Sequence, residues 1–348
     1  MKEAKRIWEQ EFDWPKWEAR VNEVMPQYIA EVESKNGDES YKIHFAGVWS
    51  KEREAVPLLL LHGWPGAFTE FLPLVEILKK STNPPFHIII PSLPGYAFSS
   101  RPPVDHDFTM WDVAGLMDNL MQGLGFGGGY IVQGGDLGSW LSVMMTHNEG
   151  CDGILLNMFV PGMLSEPLPT HDWADVTPEE RAALMRAEMF GTTGSAYALM
   201  HATRPSTIGH VLAASPLALL AWVGEKYLDW TELDPPIESI LELVSLYWFT
   251  ETYPTSIYAY RQIFTATDHG DLTAQNKIKK PFGVSWFPYD LLPYPKAWTA
   301  KYGELVYFKY HKRGGHWPMM EVPEEFAEDI VEFALALGEL KRKNKVYC

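Results

Sequence analysis

Residues 130–140 read Tyr-Ile-Val-Gln-Gly-Gly-Asp-Leu-Gly-Ser-Trp: a short apolar strand, two glycines, an acid, and the opening of a helix. An aspartate just past a strand could simply cap the helix that follows, its oxygen accepting the orphan N–H groups of the first turn. The glycines point elsewhere. Gly134 and Gly138 flank Asp136 in the small-x-nucleophile-x-small spacing of a strained strand-to-helix elbow, where the backbone folds back so tightly that its neighbours must be small. The centre of such an elbow is usually serine, so the question is what chemistry an aspartate there permits. A carboxylate is already ionised at neutral pH and can attack an sp3 carbon without first losing a proton.

Working outward, the runs VPLLLLHG (56–63), FHIIIPSLPG (86–95) and YIVQG (130–134) are continuously apolar, which predicts strands covered on both faces and hence a parallel sheet. YKIHFAGV (41–48) alternates, and CDGILLNMFV (151–160) continues the series. GAFTEFLPLVEILKK and DFTMWDVAGLMDNLMQGLG lie between these runs with helical spacing, so the order reads as repeated βα units. The rhythm breaks over 163–257, where helical patterns, prolines and aromatics carry no convincing strand, and it returns with PFGVSWFP (281–288), GELVYFKYHK (303–312) and a closing helix. Trp8, Phe12, Trp14, Trp17, Val21 and Val24 recur at helix-like spacing, with Asp13 and Pro15 marking a helix start. The expected organisation is a helical collar over 1–40, an α/β core over 41–162 and 258–348, and an inserted α-helical cap over 163–257.

Composition bounds the function. The 348 residues are 46% hydrophobic and 21% charged, with 14 Trp, 16 Tyr and 17 Phe, a globular profile. A net charge of −16 repels phosphate backbones and anionic membrane surfaces, so a nucleic-acid partner is not expected. Cys151 and Cys348 stand far apart with no Cys/His cluster, which supports neither a disulfide framework nor a zinc site. No run of about 18 apolar residues occurs, so a soluble, cytoplasmic protein without a membrane anchor is expected.

In the α/β-hydrolase fold the catalytic side chains arrive in the order nucleophile, acid, histidine, on loops after strands. Asp136 sits on the elbow, Asp290 follows the strand PFGVSWFP, and His316 follows the strand ELVYFKYHKR. Taken singly, Asp290 could be a turn residue before a proline-rich loop, and His316 is one of 11 histidines; their joint placement selects the triad. His62-Gly63-Trp64-Pro65-Gly66 follows VPLLLL, where a tight turn can aim the Trp64 N–H at an oxyanion together with the Leu137 N–H after the elbow. A glycine-proline turn that merely joins strand to helix is the plainer reading of the same residues.

LHGWPG, PSLPGYAFS, QGGDLGSW, FPYDLLPYPKAW and GGHWPMMEVPE together resemble the epoxide hydrolases of the α/β-hydrolase superfamily, in the microsomal-type branch that includes soluble fungal enzymes. The resemblance extends over nearly the whole chain. It implies an epoxide substrate, Asp136 as nucleophile, Asp290 as the acid that orients the histidine, His316 as base, and two cap tyrosines that hold the epoxide oxygen. By local context these are Tyr197 in GSAYALMHATRPSTIG and Tyr260 in IYAYRQ, although packing within the cap would also account for them. It implies an alkyl ester on Asp136, its hydrolysis to a vicinal diol, and neither metal nor organic cofactor. Members of this branch usually begin with a longer N-terminal region, whereas this chain starts at its W-x-x-x-FDW-x-x-W segment, so a shorter collar is expected, and a homodimer is left open. Three other readings share these motifs: a haloalkane dehalogenase, which typically has tryptophan where Leu137 stands; an epoxide-opening cyclase; and a ligand-binding receptor with a degenerate site.

Overall fold

The computed structural model describes residues 1–34, 36–159, 172–264 and 278–346. Two helices, α1 (Lys2–Gln10) and α2 (Trp14–Val24), come first. Asp13 caps α2 by accepting the Lys16 N–H at 3.0 Å, with Pro15 in the first turn. Helix α2 turns Trp17, Val21 and Val24 into the core, and on α1 the Trp8 indole donates to Ser245 Oγ at 2.9 Å.

Gln27–Glu33 corrects the expected all-helical collar: it is a strand, β1, paired antiparallel with β2 (Ser40–Val48). β1 is the edge of the sheet, most of its side chains are exposed, and a strand with one neighbour has no need of a continuous apolar run. The rest of the sheet is β3 (Val56–Leu61), β4 (Phe86–Pro91), β5 (Tyr130–Gly134), β6 (Cys151–Leu156), β7 (Phe282–Trp286) and β8 (Leu305–Tyr310). The order is β1-β2-β4-β3-β5-β6-β7-β8; β2 runs antiparallel to β4, and every pairing from β4 to β8 is parallel. All five residues of β5 and of β7 are buried, as the continuous apolar runs predict for strands covered on both faces. The chain therefore has the α/β-hydrolase architecture, with the carboxyl ends of the central parallel strands β3, β5 and β7 opening toward one region.

Helices α3 (Leu72–Leu78), α4 (Met110–Gly123) and α5 (Leu137–Met145) join the strands of the first half. Between β6 and β7 lie α6 (Pro178–Met189), α7 (Ala196–Thr203), α8 (Pro205–Ala213), α9 (Pro216–Asp229), α10 (Ile237–Thr250) and the short α11 (Tyr253–Ser256) and α12 (Ala259–Phe264), with no strand among the described residues. The expected start of this cap at 163 lies outside the described residues; its expected end at 257 falls between α11 and α12, and helical structure runs on to 264. After β7 come α13 (Lys296–Thr299), α14 (Pro318–Glu321) and α15 (Pro323–Val346). No single helix among the described residues is long and apolar enough to cross a membrane.

Candidate active site

Asp136 stands between β5 and α5 with φ 50° and ψ −126°, a backbone that costs a non-glycine residue about 1–3 kcal/mol. It holds the N-cap position of α5 yet makes no capping hydrogen bond, so the helix-cap reading of this acid fails. The glycines around it are sterically required. A Cβ on Gly134 would lie 2.2 Å from the Gly138 carbonyl oxygen, one on Gly138 2.1 Å from the Leu61 oxygen, and one on Gly63 2.4 Å from Asp136 Cβ.

The Asp136 carboxylate meets two other loops. Its Oδ1 accepts the Trp64 N–H at 2.8 Å, and its Oδ2 lies 3.5 Å from His316 Nε2. The other ring nitrogen of His316, Nδ1, lies 2.7 Å from Asp290 Oδ1, which also accepts the Leu291 N–H at 2.6 Å. Asp290 and His316 are buried, and Asp290 Oδ2 has no hydrogen-bond partner among the described residues. Burial alone would lower the His316 pKa, but the charges of Asp290 and Asp136 override it and push the imidazole up to about 10. Leu137 follows Asp136 directly and lines the same cavity; its amide belongs to the first turn of α5, where no intrahelical acceptor exists.

The turn carrying Trp64 is braced from below. His62 is buried, and its Nε2 accepts the Leu93 N–H at 3.1 Å, which leaves the proton on Nδ1 to be donated to Gly63 O at 3.0 Å. Burial pulls the His62 pKa down to about 4, so this ring is neutral. Glu70 closes the turn by accepting the Ala67 N–H at 3.2 Å, and the Tyr247 hydroxyl donates to Gly66 O at 2.9 Å. Burial pushes the Glu70 carboxyl up to about 8 against the pull of His316 and the Ala67 amide.

Tyr197 on α7 and Tyr260 on α12 reach the same place. The Tyr197 ring stacks on the Trp64 indole at 5.1 Å, the Tyr260 ring meets it edge-on at 5.8 Å, and the two phenol rings meet edge-on with centroids 5.9 Å apart. Burial, reinforced by the Asp136 charge, holds both phenols well above their ordinary range, so both remain proton donors. Together with Asp136, Leu137, Trp140 and Leu291 they line a cavity of about 210 Å³ whose remaining walls are mostly apolar. All seven residues singled out in the sequence thus converge on one site. Among the described residues no group of three or more His, Cys, Asp or Glu is disposed to hold a metal ion.

Other participants were not singled out by sequence. Glu70 looks like a solvated helix residue until its burial is seen. Asn157 bridges strand ends, accepting from Gln133 Nε2 at 2.9 Å and donating to His316 O at 3.4 Å. Trp230 packs edge-on against His316 with ring centroids 5.2 Å apart.

Residues 1–71 match the family described as epoxide hydrolase N terminus, and residues 56–183 match the α/β-hydrolase fold. A Dothistroma septosporum protein that carries an epoxide hydrolase name is 41% identical over 338 residues, 95% of this chain and 77% of that one. Epoxide hydrolase 1 of Oryctolagus cuniculus is 30% identical, covering 96% and 79% of the two chains. The structure of Aspergillus niger epoxide hydrolase superposes with a TM-score of 0.87 at 44% identity, over 97% of this chain and 84% of that one.

Proposed function

The chain belongs to the epoxide hydrolase family and is an epoxide hydrolase, and on that premise we propose that it opens its substrate through an alkyl ester on Asp136 and hydrolyses that ester to a vicinal diol. The observation that carries this route is the division of labour on one carboxylate: Oδ1 held by the Trp64 N–H, Oδ2 left beside His316. Oδ2 attacks an epoxide carbon, the C–O bond of the ring breaks, and Tyr197 or Tyr260 gives the departing oxygen its proton. The apolar cavity walls favour an apolar epoxide.

Charge then redistributes in a way that primes the second step. In the resting protein His316 is protonated beside two carboxylates, which makes it a poor base. Ester formation removes the negative charge of Asp136, one of the two that hold the imidazole up, and the His316 pKa falls. The proton it sheds replaces the one the phenol gave to the new alcohol, so ester formation needs none from solvent. Neutral His316, oriented through Nδ1 by Asp290, deprotonates a water that attacks the ester carbonyl. The oxyanion develops on Oδ1, which already accepts the Trp64 N–H, and the Leu137 N–H is assigned as the second donor. Collapse expels an alkoxide that takes the proton held by His316 and departs as the diol with Oδ2, and the Asp136 carboxyl proton then passes to His316 to restore the resting state. A reduced cytoplasmic setting fits the sparse, distant cysteines.

His316→Gln tests the route. The variant should still be alkylated but lose the base for the second step, so its intact mass should rise by one substrate on mixing with an epoxide. Turnover at the wild-type rate without an adduct removes His316 from the role.

A further inference from the structure

The loop that presents His316 is fastened to the cap through the end of α9 and the segment that follows it, with Trp317 stacked on Tyr227 at 4.0 Å. The His316 N–H donates to Trp230 O at 2.9 Å, and the Gly314 N–H donates to the Glu232 carboxylate at 2.7 Å. In return the Glu232 N–H donates to the Glu321 carboxylate at 2.8 Å, whose other oxygen accepts the Trp317 N–H at 3.1 Å. Each carboxylate therefore reaches across to the other partner's backbone. The Trp230 ring lies parallel to Trp317 at 5.7 Å, edge-on to His316 at 5.2 Å, and against Tyr197 at 5.3 Å. The approach is too close for any side chain at its centre: a Cβ on Gly315 would lie 2.6 Å from Trp230 O.

We propose that Glu232 is a positioning residue for the epoxide hydrolase reaction: through the Gly314 and His316 amides it and Trp230 set the base histidine in register with the cap that carries Tyr197. None of these contacts touches the nucleophile, which is held by the elbow and the Trp64 turn. Loosening the clasp therefore displaces His316 while leaving Asp136 and its cavity intact, and the cost falls on ester hydrolysis rather than on ester formation. A misplacement of about 1 Å in a catalytic group can cost about 10²-fold in rate. The proposal rests on the two-step route through Asp136.

The test is a single-turnover comparison of wild type, Glu232→Ala, Glu232→Gln and Gly315→Ala. The substrate is the epoxide that wild type opens fastest in a small panel headed by styrene oxide. Adduct formation and adduct decay are followed by intact mass after rapid quenching. Glu232→Ala should form the adduct within about threefold of the wild-type rate and clear it about 10- to 100-fold more slowly. Glu232→Gln, whose amide oxygen can still accept the Gly314 N–H, should recover most of the loss. Gly315→Ala, which pushes on the same contact from the other side, should repeat the selective slowing. A general loss of packing would depress both steps and the melting temperature together, and Glu232→Gln would not rescue it; that pattern, or unchanged decay in Glu232→Ala, overturns the proposal. The route itself is read separately from His316→Gln: an adduct there with none in Glu232→Ala counts against the clasp, whereas no adduct in either overturns the route on which it rests.

Discussion

The Trp64 N–H donates to Asp136 Oδ1 at 2.8 Å, so the backbone donor suited to an oxyanion is already in place on the nucleophile's own carboxylate. The two oxygens of Asp136 are thereby made unequal before substrate arrives. Oδ1 keeps its donor from the resting state through to the tetrahedral intermediate, and no group has to reorganise as charge builds there, which is the condition under which such donors are worth most.

The proton count of ester formation can be measured directly. With His316 protonated at rest, its pKa raised to about 10, alkylation at pH 7.5 in weak buffer with a pH indicator should exchange almost no protons with solvent. Uptake of one proton per ester would mean that His316 keeps the same protonation state through ester formation and that the charge of Asp136 does not govern it.

The paired phenols separate epoxide opening from halide displacement. An alkoxide leaving group needs a proton, whereas a halide leaves as a weakly basic anion, and Leu137 offers no indole N–H where dehalogenases typically have one. Tyr197→Phe combined with Tyr260→Phe should slow alkylation by an epoxide by about 10²- to 10⁴-fold, each single change less, with thermal melting unchanged. Alkylation by the double variant near the wild-type rate would reduce both residues to packing.

Glu70 links the site to pH-dependent stability. Its buried carboxyl titrates at about 8 when folded against an ordinary value of 4.5, so above pH 4.5 the native state holds a proton that the unfolded chain has released. The stability it contributes is fully present below about pH 4.5 and is lost as pH rises through about 8. Glu70→Gln, which keeps an acceptor for the Ala67 N–H, should gain on wild type by about 3–4 kcal/mol between pH 5 and pH 8. Parallel melting curves across that range would show that Glu70 titrates normally.

Local rules made much of this legible in sequence. The elbow could be read because its steric demands fall on residues two positions either side of Asp136, and the buried strands because their apolar runs are unbroken. β1 was hidden because an edge strand with exposed Tyr28 and Ile29 and alternating acids has no core-facing run to betray it. Glu70, Glu232 and Glu321 were hidden for a different reason: an acid in a helical or turn segment looks solvated, and only the fold shows that each accepts a backbone N–H at the site or at the loop beside it. The Gly-Gly before His316 carried a readable trace of the Trp230 contact, though the sequence does not say which segment comes so close.

The covalent ester is the centre of the account, and isotope placement tests it most directly. A single turnover in 18O-labelled water with enzyme in excess should put the label into the Asp136 carboxylate and leave the first diol unlabelled, because water adds to the ester carbonyl and the diol departs with an oxygen that belonged to Asp136. Label appearing in that first diol, with none in Asp136, would mean that water opens the epoxide directly and would contradict the account.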